Sequence, residues 1–326
     1  MQEIKYSVIG TSWITNSFIE GAKTVEGLVL DGVYSRSEEK GKAFCEKVGA
    51  QRVFKSIEEV ADSDTDFVYV ASPNVCHYEQ CKFLLENKKS VICEKPITTT
   101  SEEFSKLFFL AEENNVRYFE AIMYMHTDTR NALKQAVRGI GNISSAYFDY
   151  SQLSSKYEAL LAGELPNIFN PKMKTGALND LGIYCVYPAI DIFGEPQEVT
   201  ALQNFIFTGA DGAGSAILKY KDKIVTITYS KTAESRSASQ ILGDNGTITI
   251  DSVSQLRGIT CYDKSGNKID VLGSEEKTAL MANEARSMYN FLTDFENNKG
   301  LYYECAAMSQ KVLSCMEKMR TKNGEE

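Results

Sequence analysis

Over roughly its first 125 residues the chain alternates short apolar runs with helix-length amphipathic stretches. That alternation restricts the fold more than any other feature. Residues 6–9 lead into a turn at Gly10 and a helical stretch over about 14–23. Residues 28–34 form the second strand, and Ser37 caps a polar helix that closes at Gly49. Residues 52–54 are a short third strand, followed by a Ser56-x-x-Glu59 capping box. Residues 67–71 and 91–93 are the fourth and fifth strands, separated by a helix over 78–86. Thr100 with Glu103 opens the next helix, and residues 118–121 are a sixth strand. Strands joined by helices of this length pair in parallel, with helices covering both faces.

The period then changes. After a helix near 129–137, alternation of period two runs through 144–150, 199–207, 214–220, 224–230, 239–242, 247–250 and 258–262. Turn signals such as Asp244-Asn245-Gly246 and Lys264-Ser265-Gly266-Asn267 separate these runs. They predict an antiparallel sheet with one face covered by helices. A helix is expected over 177–193, two more over about 279–297 and 304–318, and a disordered tail over 321–326. The expected class is α/β: a parallel-sheet domain over 1–122, then an α+β domain over 123–320. The last helix has the option of packing back on the first domain.

Charge and cysteine usage exclude several function classes. Asp and Glu number 44 against 35 Lys and Arg, so the net charge of −9 repels nucleic acid and anionic membranes. No run approaches the roughly 18 apolar residues of a membrane span. Met1-Gln2-Glu3-Ile4-Lys5 lacks the apolar core of a signal peptide, which makes a cytoplasmic location the default. The eight cysteines form no C-x-x-C pair and read as reduced, mostly buried thiols. Only His77 and His126 offer imidazole, neither at ligand spacing from a cysteine pair, so no metal is expected. The expected partner is a small molecule.

The first strand should be followed by G-x-G-x-x-G in a Rossmann nucleotide-binding unit. Here it reads Gly10-Thr11-Ser12-Trp13-Ile14-Thr15. Gly10 makes the tight turn, Ser12 replaces the glycine that admits the pyrophosphate, and Thr15 replaces the third glycine. The helix beyond still offers N–H groups to an anion. The second strand ends in Tyr34-Ser35-Arg36-Ser37 rather than in an acid. Ser35 and Arg36 suit a 2′-phosphate, so NADP is favoured, with NAD possible. Asp31 stands too early in its strand to reach the ribose. Trp13, the single tryptophan, either edges the cofactor or packs on the first helix.

The fifth strand stops at Glu94-Lys95-Pro96, which holds a lysine where open parallel sheets bind ligands. Ser72-Pro73-Asn74-x-x-His77 ends the fourth strand along the cofactor's path, and Glu120 ends the sixth. His77 reads as a packing or cofactor-edge residue. Tyr124 and His126 lie just beyond the sixth strand. His126 either contacts substrate or sits on the surface. Farther on, Gly176-Ala177-Leu178-Asn179-Asp180-Leu181-Gly182-Ile183-Tyr184 opens a helix, with Asp180 and Tyr184 four apart on one face.

This ordered set resembles the glucose–fructose oxidoreductase, inositol dehydrogenase and MocA (Gfo/Idh/MocA) family over nearly the whole chain. A tyrosine at 184, where many members have histidine, is similar to the glucose–fructose oxidoreductase and dimeric dihydrodiol dehydrogenase branches. The stretch around it most resembles the latter. The resemblance implies a Rossmann domain, an open-faced mainly antiparallel sheet, assembly into homodimers or homotetramers, and nicotinamide-dependent chemistry on sugars, cyclitols, diols or related carbonyls. Gly10, Thr11, Ser12, Trp13, Ile14, Ser35, Arg36, Ser72, Pro73, Asn74, His77, Glu94, Lys95 and Glu120 would bind the cofactor. Tyr124, His126 and Asn179 would touch substrate. Tyr184 would be the proton donor and acceptor, Lys95 its electrostatic partner and Asp180 the orienting acid. Lys95 and Tyr184 are thus expected to converge on the nicotinamide. A non-catalytic NAD(P) sensor on the same scaffold is the competing reading, and it has no use for a proton relay.

Overall fold

The computed structural model describes residues 2–320, so the tail read as disordered lies outside the described residues. The chain forms two units. One holds residues 2–126 together with Glu276–Gln310, the other Thr127–Glu275 together with residues 311–320.

The first unit begins β1 (Ile4–Ile9), α1 (Trp13–Ala22), β2 (Leu28–Tyr34), α2 (Glu38–Val48), β3 (Arg52–Phe54) and α3 (Ile57–Asp62). It continues β4 (Phe67–Val70), α4 (Asn74–Glu86), β5 (Ser90–Glu94), α5 (Ser101–Glu113) and β6 (Tyr118–Ala121). All six strands pair in parallel, in the order β3-β2-β1-β4-β5-β6. This is the doubly wound Rossmann sheet, and its order reverses between β1 and β4, where ligands of such sheets bind. Every residue of β4 and β5 is buried, as expected of strands covered on both faces. The helix starts follow the local chemistry. Ser37, Ser56 and Thr100 accept from the N–H groups of Lys40, Glu59 and Glu103 at 3.4, 3.3 and 3.1 Å. Glu59 and Glu103 reach back one residue past the N-caps, accepting from Lys55 N–H (2.7 Å) and Thr99 N–H (3.0 Å).

The second unit contains α6 (Asp128–Gly139), β7 (Ile143–Ser151) and the short α7 (Tyr157–Leu161). A wide π turn at Leu178–Gly182 then runs into α8 (Ile183–Phe193). Next come β8 (Glu198–Phe205), β9 (Asp211–Lys219), β10 (Ile224–Ser230), β11 (Ser239–Gly243), β12 (Gly246–Ser252), β13 (Arg257–Asp263) and β14 (Lys268–Leu272). These strands form one sheet in the order β14-β13-β12-β11-β7-β10-β9-β8. It is mainly rather than wholly antiparallel. β7 departs through the α7–α8 excursion and is inserted between later strands, so it runs parallel to β10. Alternation does its expected work. Ala146, Phe148, Val225, Ile227, Ile241, Ile248 and Ile250 are buried. β14 was not among the expected strands. Its apolar residues Ile269 and Val271 are exposed, so its alternation has no buried face to mark it. A buried ion pair ties α6 to α8: Arg130 grips Asp191 at 2.8 and 2.7 Å, and Lys134 adds a third bond at 2.9 Å.

α9 (Lys277–Thr293) returns to the first unit, and α10 (Phe295–Met319) belongs to it as far as Gln310. The unit boundary therefore differs from a division at 122/123. The reason is packing. Leu280, Met281, Ala285, Met288 and Phe291 of α9 join the core that holds Ile4, Phe18 and Ile19. Among the described residues no helix is long and apolar enough to cross a membrane.

Candidate active site

The first turn of the Rossmann unit leaves no room for a side chain. Gly10 has φ +109°, and a Cβ there would stand 2.5 Å from the Ala71 carbonyl oxygen. Only glycine lets the end of β1 pass the end of β4 at the switch point. Ser12 is the N-cap residue of α1, yet its hydroxyl makes no cap bond and lies 3.2 Å from that of Thr15. The first-turn N–H groups keep their capacity for an anion. Thr11 and Ile14 are half-buried beside this turn, and Ile14 packs on the core. Arg36, beyond the end of β2, is exposed and has no ion pair among the described residues. Its neighbour Ser35 accepts from Ser37 N–H at 3.3 Å. Asp31 is taken elsewhere, gripped by Arg52 at 2.6 to 3.0 Å. A dinucleotide with a 2′-phosphate fits this donor set: a cradle that excludes Cβ, an uncapped helix start, and a cation where an acid would read a ribose diol.

The Glu94-Lys95-Pro96 turn is braced from three sides. Lys95 is half-buried, and the peptide bond that follows it is cis. Glu94 accepts from the Tyr69 hydroxyl and from Lys95 N–H at 3.2 Å. Burial pushes the Glu94 carboxyl above its usual range, against the Tyr69 bond and the Lys95 charge. His77, 1% exposed, sets Nδ1 at 2.9 Å from the Pro96 carbonyl and Nε2 at 2.9 Å from the Ser72 carbonyl. Burial holds this imidazole below its ordinary range, even though both carbonyls favour the cation. His77 therefore pins the end of β4 to the end of β5.

Glu120 is the third brace. It is 2% exposed, accepting from Ile97 N–H at 2.8 Å through one oxygen and from the Ser309 hydroxyl at 2.9 Å through the other. Both carboxylate oxygens are thus engaged within the chain. Ser72 donates to Gln80 at 2.6 Å, Pro73 is the residue before α4, and Asn74 is its half-buried first residue. Beyond β6, Tyr124 is buried, and His126 bonds the Ser287 hydroxyl at 2.8 Å and packs on Phe119. Trp13 is 69% exposed, with the Lys277 ammonium 3.8 Å from its ring centre.

In the second unit, Gly176 opens the helix that carries the other expected residues. Its φ is +106°, and a Cβ would collide with Asp211 Oδ1 at 1.7 Å. Asp211 accepts from Leu178 N–H at 2.7 Å, capping the π turn, and burial raises its pKa to about 6. Asn179 is buried with its amide engaged, donating to the Lys174 carbonyl at 3.0 Å and accepting from Arg320 at 3.1 Å. Asp180 pairs with Lys231 at 2.6 Å. Tyr184 is half-buried, its ring edge-on to Tyr150 with centroids 5.6 Å apart.

Sequence reasoning missed Lys231, Asp211 and Lys277. Lys231 ends an alternating strand much as Lys95 ends β5, which is the signal that would have flagged it. The other two carry no local mark.

Two family models cover most of the chain. One, described as an oxidoreductase family with an NAD-binding Rossmann fold, matches residues 4–122. The other, the GFO/IDH/MocA C-terminal domain, matches residues 131–249. The chain belongs to the Gfo/Idh/MocA oxidoreductase family. Among curated relatives in this family, scyllo-inositol 2-dehydrogenase (NADP(+)) IolU of Bacillus subtilis is 35% identical over 297 residues, covering 91% of this chain and 89% of its own. Trans-1,2-dihydrobenzene-1,2-diol dehydrogenase of Xenopus laevis is 27% identical over 319 residues, covering 95% and 89%. The dihydrodiol-type stretch around Tyr184 thus sits in a chain that is more similar overall to the inositol enzyme. KijD10, a 3-ketoreductase from Actinomadura kijaniata solved with NADP and TDP-benzene, shares the fold, with TM-score 0.84 at 19% identity over 98% of each chain.

Proposed function

We propose that this Gfo/Idh/MocA protein is an NADP-preferring oxidoreductase. It would move a hydride between the nicotinamide and a CH–OH carbon of a sugar, cyclitol or diol, or the matching carbonyl. The observation that carries this reading is the bracing of Lys95. Tyr69 with Glu94, His77 and Glu120 are buried groups spent on fixing one turn, and that turn presents a lysine. The naming of the relatives for inositol and dihydrodiol oxidation supports the substrate class.

When bound, the nicotinamide supplies or accepts the hydride. The chain's residues do the rest. Gly10, Thr11, Ser12 and the start of α1 hold the pyrophosphate, and Ser35 with Arg36 holds the 2′-phosphate. Tyr184 gives its proton to the carbonyl oxygen during reduction and recovers one during oxidation. A free phenol titrates near 10, and a nearby ammonium favours the phenolate. Lys95 would be that ammonium. Asp180 acts through its bond to Lys231 and is a positioning residue.

Arg36 provides the test of cofactor choice. Arg36→Ala is expected to raise the Kd for NADPH by about 10-fold or more, as loss of a charged, forked phosphate contact should, and to leave that for NADH nearly unchanged. Equal effects on both would remove Arg36 from the 2′-phosphate site.

We also propose that the chain self-associates through the open face of its second sheet. Leu202, Ile217, Ile224 and Leu242 lie exposed on that face among threonines. Patches of this kind mark protein contacts. Light scattering should return a dimer or tetramer, and Ile217→Lys should shift it toward monomer. A monomeric wild-type protein at micromolar concentration would defeat this reading.

A further inference from the structure

The buried stripe of α9 contains one carboxyl, Glu284, among Leu280, Met281, Ala285, Met288 and Phe291. α9 lies closely against α1, since a Cβ on Gly21 would stand 2.7 Å from the Ala282 nitrogen. This packing sets Lys277, the first residue of α9, over the indole of Trp13, the first residue of α1. Lys277 is half-buried. Burial draws its pKa below the usual lysine range, Glu94 and Glu284 oppose this, and Lys95 adds to it.

Both acids favour the Lys277 cation, but neither forms an ion pair with it. Glu94 is already bonded to Tyr69 and to Lys95 N–H. Glu284 is 1% exposed and has an oxygen with no hydrogen-bond partner. Burial and the Glu94 charge hold its pKa well above the carboxylate range. Among the described residues Lys277 forms no ion pair. A half-buried ammonium with no ion-pair partner gains from an anion that completes it. The uncapped start of α1, to which Trp13 belongs, favours negative charge.

We propose that Lys277 is an anion-binding residue of the nucleotide site, its ammonium balancing the dinucleotide's pyrophosphate. The inference rests on reading α1 as the cofactor helix. It separates two jobs: Arg36 distinguishes NADPH from NADH, whereas Lys277 serves both, because both carry the pyrophosphate.

Because Trp13 is the single tryptophan, its emission reports directly on this corner of the molecule. Titrating the full-length protein with NADPH and with NADH should quench it. Lys277→Met should raise both Kd values by a similar factor, about 10-fold at low salt, and flatten their rise between about 50 and about 200 mM NaCl. Lys277→Arg should retain most of the affinity, and circular dichroism should show both variants folded. Wild-type Kd values for both nucleotides in folded Lys277→Met would overturn the assignment. So would a loss confined to NADPH, which would move Lys277 to the 2′-phosphate. If the wild-type protein binds neither nucleotide, by quenching or by calorimetry, the cofactor reading itself falls, and the Lys277 assignment with it.

Discussion

Tyr184→Phe is expected to lower kcat by about 10²- to 10⁴-fold, the usual worth of a positioned general acid, with NADPH affinity almost unchanged. The substitution removes one oxygen and keeps the ring. The edge-on packing against Tyr150 survives, and so does the Asp180–Lys231 pair one turn earlier in the chain. Thermal unfolding should therefore move little, and the lost rate can be assigned to the missing proton. The assay is nicotinamide absorbance against a panel of inositols, aldoses, dihydrodiols and dicarbonyls. Turnover near the wild-type value on the panel member that reacts best would exclude Tyr184 as the proton donor.

Lys95→Met is expected to cost about 10²-fold or more in kcat, within the same range for acid–base assistance. Methionine keeps the apolar stem and deletes the charge. The backbone of the turn should hold, because its braces do not depend on the ammonium: His77 grips the Pro96 carbonyl and Glu120 the Ile97 N–H. A second signature follows from the electrostatics. Without a neighbouring cation a phenol ionises less readily, so the pH at which kcat/KM changes should move upward in the variant. The Glu94 carboxyl, already raised by burial, should rise further, because the Lys95 charge is one of the forces holding it down.

Local chemistry accounts for what was legible in the sequence. The strand–helix alternation, the capping serines and threonine, the Gly10 turn and the lysine at the end of β5 each depend on neighbours within a few residues. Arg36 in place of an acid was legible for the same reason. What escaped notice is long-range. Lys231 meets Asp180 across 51 residues, and no period or motif announces a partner at that distance. His77 and Glu120 occupy strand-end positions that suggest ligand contact. Only their partners, two carbonyls for one and an N–H and a hydroxyl for the other, reveal that they brace the Lys95 turn. Glu284 lies on the buried stripe of α9, and its setting depends on Lys277 and on Glu94, far away in sequence. Asn179 is engaged by the Lys174 carbonyl and by Arg320, and Tyr124 is buried, settings that no local motif marks.

The central claim is that the Lys95 ammonium and the Tyr184 phenol serve one proton transfer. A double-mutant cycle tests it most directly, comparing kcat for wild type, Lys95→Met, Tyr184→Phe and the double variant on one reacting substrate. Groups that act as a unit are strongly non-additive, so the double variant should be about as slow as the slower single variant. Losses that multiply, leaving the double variant slower by the product of the two single effects, would contradict the account.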